Sequence, residues 1–123
     1  MPAVGWKLDE AERSSLLDRF APLWPDVIAD HITLESGVAE DAPLPEPQQA
    51  EIVGSISDGE GLQALIVVVG GHSGRPDGGT FHITWSLDRS RGREPVQSND
   101  VIADLGWRRL PDPVPIRTTP ARF

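Results

Sequence analysis

Two of the three histidines in this 123-residue chain stand in the same tripeptide: His31-Ile32-Thr33 and His82-Ile83-Thr84. Only 5 residues are threonine, so two histidines each followed by Thr at the second position is an improbable coincidence. A lone H-x-T is ordinarily just a hydrogen-bonded histidine on a half-exposed strand; the repetition is what carries information. In an extended segment alternate side chains share a face, so His and Thr lie together, Cβ atoms roughly 7 Å apart, with Ile on the other side. Imidazole exists neutral and charged near neutral pH, so two of them can act as base and acid in one turnover. One would take a proton from water attacking phosphorus and the other would protonate the departing sugar oxygen. The threonine hydroxyls would hold the non-bridging oxygens, where negative charge grows in the transition state. This chemistry needs no metal or other cofactor, and a strained cyclic phosphodiester suits it.

Around the second copy the alternation extends. His82, Thr84 and Ser86 fall on one face and Phe81, Ile83, Trp85 and Leu87 on the other, a polar wall backed by a core. Residues 70–79 are glycine-rich and read as a connection that could act as a flap, with Arg75 placed to touch a phosphate and His72 a mobile-loop residue. The loop has no Gly-Lys-Ser/Thr ending and no nucleophile elbow, so neither a phosphate-cradling P-loop nor a serine triad is expected. Arg89, Arg91 and Arg93 could guide an anion or simply occupy a solvated turn. Asp30 neighbours His31 and so is expected on the opposite strand face. With no H-E-x-x-H, EF-hand or H-x-H-x-H pattern, and an acidic stretch at 35–46 that reads as solvated surface, no metal site is expected. The four tryptophans read as core.

The elements that must position these groups are legible in outline. Residues 4–8 suggest a short strand, followed by a helix from Asp9 to about 21, with Leu16, Leu17 and Phe20 on one face. Asp9 and Glu12 have capping-box spacing, and Pro22 ends the helix. Residues 30–34 read as a strand. The proline-spaced stretch 42–49 reads as a surface connection. Strands at 51–57 and 62–69 are joined by Asp58-Gly59-Glu60-Gly61, a hairpin signal, and the continuous apolar run within 65–69 marks a central strand. A strand over 80–87 follows. Ser98 or Asn99 can cap a short helix through Leu105, with Gly106 beyond its end. A last strand is expected at 107–110, and residues 111–123 form a loosely packed tail. Without regular strand–helix alternation, the class is α+β with mostly antiparallel pairing.

Composition narrows the functional classes. The length fits one domain, and the absence of cysteine excludes disulfides, a thiol nucleophile and thiolate metal sites. The longest apolar run is too short to span a bilayer, and no charged-then-apolar leader opens the chain, so a cytoplasmic protein without a membrane partner is expected. The net charge of −8 argues against an extended nucleic-acid surface. That charge is uneven: residues 1–61 hold 13 acids and 3 bases, whereas residues 62–123 hold 6 acids and 8 bases, all arginine. Arginine's planar fork leaves a small phosphate ligand open.

The paired H-x-T motifs resemble those that define the 2H phosphoesterases. The strings GWKLDEAERSSLL, WPDVIADHITL and FHITWSL followed by PVQSNDVI resemble bacterial relatives of the cyclic phosphodiesterase domain of fungal and plant tRNA ligases. The resemblance implies a small bilobed α+β fold with two antiparallel sheets around a central cleft, one motif in each lobe. It implies metal-independent hydrolysis of 2′,3′-cyclic phosphates on RNA 3′ ends or nucleotides, in RNA processing or repair. His31 and His82 would be the acid–base pair, and Thr33 and Thr84 the phosphate ligands. Two alternatives stay open: a phosphodiesterase of cyclic oligonucleotide signals, and a non-catalytic module that binds nucleotide ends.

Overall fold

The computed structural model describes residues 2–123. It is an α+β domain of two helices and two antiparallel sheets. In chain order the elements are β1 (Ala3–Leu8), α1 (Glu10–Arg19), β2 (Asp26–Val27), β3 (His31–Ser36), β4 (Ala50–Ser57), β5 (Leu62–Val69), β6 (His82–Leu87), α2 (Ser98–Leu105), β7 (Arg108–Ile116) and β8 (Thr118–Arg122). The smaller sheet has the order β3-β1-β8 and the larger β2-β6-β5-β4-β7.

The larger sheet is covered on both faces, which explains the continuous apolar run 64–69 within β5. One face packs Ile52, Leu65, Val67, Ile83 and Trp85 against Trp6, Leu8 and Ile32 of the smaller sheet and Leu16 of α1. On the other face Val53, Ala64, Ile66 and Leu87 pack under Val101 and Ile102 of α2. Alternation within a strand places odd and even residues on opposite faces, so a stretch buried on both reads as a continuous apolar run. The middle residues of the two tripeptides, Ile32 and Ile83, are 1% and 0% exposed in the shared core. Their flanking His and Thr residues therefore turn away from it.

The two tripeptides are brought together by a crossing of three residues. β2 belongs to the larger sheet and β3 to the smaller, and residues 28–30 join them. Ile28 N–H donates to the Trp85 carbonyl (2.9 Å) and Ala29 N–H to the Thr84 carbonyl (3.0 Å). Leu8 N–H donates to the Asp30 carbonyl (2.9 Å). From α1, Arg13 Nε and Nη2 reach the carbonyls of Ala29 (2.9 Å) and Ile28 (3.2 Å). Ala29 makes the turn with φ +43°, in the left-handed region, and its side chain is wholly buried. A non-glycine residue is held there only when its surroundings over-determine the backbone, as these bonds do.

The β1–β3 pairing is close as well. Gly5 opposes Thr33, and a Cβ at Gly5 would overlap the Ile32 carbonyl oxygen and the Leu34 nitrogen. The pairing register slips by one residue between Val4 and Gly5.

The hairpin at 58–61 and the surface connection at 42–49 lie where the sequence placed them, and the strand expected at 30–34 is found at 31–36. The first helix begins just after Asp9, but Asp9 makes no side-chain cap, and Glu12 instead accepts the Arg117 N–H (2.6 Å). The largest difference is the C-terminal stretch. Residues 111–123 are no loose tail: β7 pairs with β4 in the larger sheet and β8 with β1 in the smaller. Their prolines at 111, 113, 115 and 120 pointed away from sheet structure, yet both are edge strands, where a missing N–H can face outward. Asp26–Val27, too short to stand out by pattern, adds the opposite edge.

Removing the Arg13 side chain strands two carbonyls at the crossing. Arg13→Ala is expected to lower unfolding stability by ~1–3 kcal/mol, read as a shift of the denaturant midpoint.

Candidate active site

The His-Thr faces of β3 and β6 meet in one cleft of about 220 Å³. Its lining includes His31, Thr33, His82, Thr84 and Arg75, with Pro95 and Asn99 approaching from the α2 side. Of the residues the sequence singled out, His31, His82, Thr33, Thr84 and Arg75 are thus brought together, and Ser86 is not.

The two histidines are supported differently. His31 opens β3, and its Nδ1 lies 2.9 Å from Asp30 Oδ2. A carboxylate only accepts, so Nδ1–H donates and Nε2 is left for the cleft. Asp30 also faces Lys7 Nζ at 3.7 Å, across the register pair Lys7–His31. The Phe123 ring packs on the imidazole, centroids 4.0 Å apart and tilted by 31°. Asp30 is therefore not turned away from His31. It precedes the strand, in the kinked crossing after Ala29, where strand alternation does not apply.

His82 is buried, and its Nδ1 donates to the Thr80 carbonyl at 2.8 Å. That bond fixes the neutral tautomer with a free lone pair on Nε2. Burial drives its pKa below the ordinary histidine value. The Thr80 carbonyl opposes the shift, while the charges of Arg75 and of His31 reinforce it.

Thr84 Oγ1 lies 2.9 Å from Ser98 Oγ and 3.4 Å from the Pro95 carbonyl. Ser98 is fully buried at the start of α2. A carbonyl only accepts, so Thr84 donates to Pro95, and with Ser98 donating to Thr84 that long 3.4 Å bond is the one its proton gives up to reach a ligand oxygen. Neither Ser98 nor Asn99 caps the helix as expected; a 3-10 turn at Pro95–Gln97 leads into it. Asn99 donates from Nδ2 to the Val96 carbonyl (3.0 Å) and accepts from Arg75 Nη2 (3.2 Å). Arg75 also forms a two-pronged pair with Asp77, Nε–Oδ1 3.2 Å and Nη2–Oδ2 3.0 Å, which holds its guanidinium at the cleft. The Gly79 N–H and then Arg75 hold the Asp77 carboxyl below the usual carboxylate range.

Ser86 is fully buried and belongs to a structural network instead. It donates to Gln63 Oε1 (2.6 Å) and accepts the Trp24 N–H (3.2 Å). The β5–β6 ladder pairs Ala64 with Thr84 but the adjacent Gln63 with Ser86, skipping Trp85. Thr84 and Ser86 therefore oppose neighbouring residues of β5 and face opposite ways. His72 lines a separate groove with Trp6, Leu34 and Phe81. Its loop is ordered by bridges Val69–His72 and Gly74–Thr80, where the sequence suggested mobility. Arg91 and Arg93 pair with Asp88 and Asp58, and neither they nor Arg89 line the cleft.

Among the described residues, no three His, Cys, Asp or Glu side chains converge to hold a metal, and no helix is long and apolar enough to cross a membrane. No protein-family model, curated protein or solved structure matches this chain.

His82 is expected to titrate below about 6.5 when its ring resonances are followed by NMR. The folded value is depressed, so the unfolded chain binds the proton first. The stability tied to neutral His82 is present above that pH and is lost as pH falls toward the folded value.

Proposed function

We propose that this chain is a 2′,3′-cyclic phosphodiesterase of the 2H phosphoesterase type. The observation that carries the reading is the convergence of both His-Thr pairs on one cleft. The bilobed arrangement that the resemblance implies is supported by two antiparallel sheets, each contributing one pair.

The unequal support of the two rings favours a direction for proton flow. His82, buried and neutral with its Nε2 lone pair free, is the base; His31, with a carboxylate on Nδ1, is the acid. Water gives a proton to His82 Nε2 as its oxygen bonds to phosphorus. The bond from phosphorus to one ribose oxygen breaks, and that oxygen takes the proton from His31 Nε2. The product is a phosphomonoester beside a free hydroxyl, with His82 protonated and His31 neutral until solvent restores both. Thr33, Thr84 and Arg75 donate to the non-bridging oxygens as their charge grows. Asp30 and Phe123 act through His31 as positioning residues.

The test is hydrolysis of nucleoside 2′,3′-cyclic phosphates, with products resolved by chromatography. His31→Ala and His82→Ala should each lower kcat by at least ~10²-fold. Activity surviving the loss of both imidazoles ends the reading, as does saturable binding without product. Asp30→Asn should cost up to ~10²-fold in kcat with little change in KM, since it misplaces the acid and leaves the phosphate ligands intact. The kcat/KM profile should be bell-shaped, with its acid limb below the ordinary histidine value because His82 must be neutral.

A further inference from the structure

A cleft built for polynucleotide ends needs cations beyond the reacting phosphate, because each further nucleotide brings another negative charge. Among the described residues, Arg75 is the only lysine or arginine lining this cleft, and Asp77 and Asn99 already hold it. Several basic residues near the motif strands are spent on structure. Arg13 ties down the crossing, Arg91 and Arg93 pair with Asp88 and Asp58, and Arg117 pairs with Glu12. Lys7, the sole lysine, faces Asp30. Among the described residues no second cation lines the cleft, and the carboxylate beside it, Asp30, is taken up by His31 and Lys7. The whole chain carries −8.

Size agrees with charge. A cleft of about 220 Å³ falls below the roughly 300–1,000 Å³ that encloses a drug-sized ligand. It suits the cyclic phosphate and its ribose. Base reading is poorly provided for, since Asn99, the one side-chain amide of the lining, has both ends engaged.

We infer that the substrate is a nucleoside 2′,3′-cyclic monophosphate, a single-phosphate monomer, and that chains with further phosphates are disfavoured by the lone cation of the cleft and the negative charge of the whole chain. The inference rests on the phosphodiesterase reading and narrows it. One phosphate meets one guanidinium and the hydroxyls; a second would meet no cation and would enter the field of a chain carrying −8.

The experiment compares the wild-type protein on adenosine 2′,3′-cyclic phosphate and on an oligoadenylate of five nucleotides ending in the same group. At low ionic strength kcat/KM should favour the monomer by at least ~10-fold. Added salt shortens the reach of the repulsion to about 3 Å at 1 M, so the pentamer rate should rise and the gap narrow. This is the reverse of a protein that grips RNA through its phosphates, whose affinity falls with salt. A pentamer hydrolysed as fast as the monomer at low salt, or a pentamer rate that falls with salt, overturns the inference and leaves the phosphodiesterase reading standing. No turnover of either substrate removes both.

Discussion

A single backbone hydrogen bond, from Ala29 N–H to the Thr84 carbonyl, sets the geometry on which the site depends. Ala29 lies two residues before His31, and Thr84 lies two residues after His82. Any slip at this bond would move one motif against the other, since a short segment has little slack to absorb it. The surrounding contacts make slippage costly: Ile28 is tied to Trp85, Arg13 holds both crossing carbonyls, and the Ala29 side chain is fully buried. The left-handed backbone at Ala29 is the local cost of turning sharply enough to change sheets. Burial of Ile32 and Ile83 in the same core then fixes how the two strands are rotated.

The tripeptides are identical in sequence but not in surroundings. His31 is partly exposed and rests on side chains from other parts of the chain, a carboxylate on Nδ1 and an aromatic ring on its face. His82 is buried and rests on a main-chain carbonyl. Burial disfavours a charged ring at His82, whose pKa is lowered accordingly. Two equal residues thus become unequal without any change of residue type.

What could be read from the sequence was what depends on near neighbours. The repeated tripeptides, the hairpin around Asp58, the central apolar run of β5 and the buried Trp85 each follow from patterns within a few residues. Reading failed where the deciding interaction is distant or where alternation breaks. Ser86 was misplaced because the ladder skips Trp85, an irregularity set by pairing with β5. Asp30 was turned the wrong way because the strand starts one residue later than the pattern suggests. Ser98 looked like a helix cap and is a buried partner of Thr84 fourteen positions away. The prolines after 110 signal irregular chain, and only the sheet order reveals that they occupy edges.

The final strands have a mechanical consequence. The chain passes between the two sheets four times: through α1, through 28–30, through 37–49, and at Arg117, the lone residue between β7 and β8. Two of these passages are three residues or fewer. Sheets laced together in this way have no axis about which to swing apart, so the gap between the histidines is set by covalent connectivity as much as by packing. The glycine-rich stretch that carries Arg75 is bridged in turn, and its guanidinium is held by Asp77 and Asn99, so the walls of the hollow keep one spacing whether or not anything fills it.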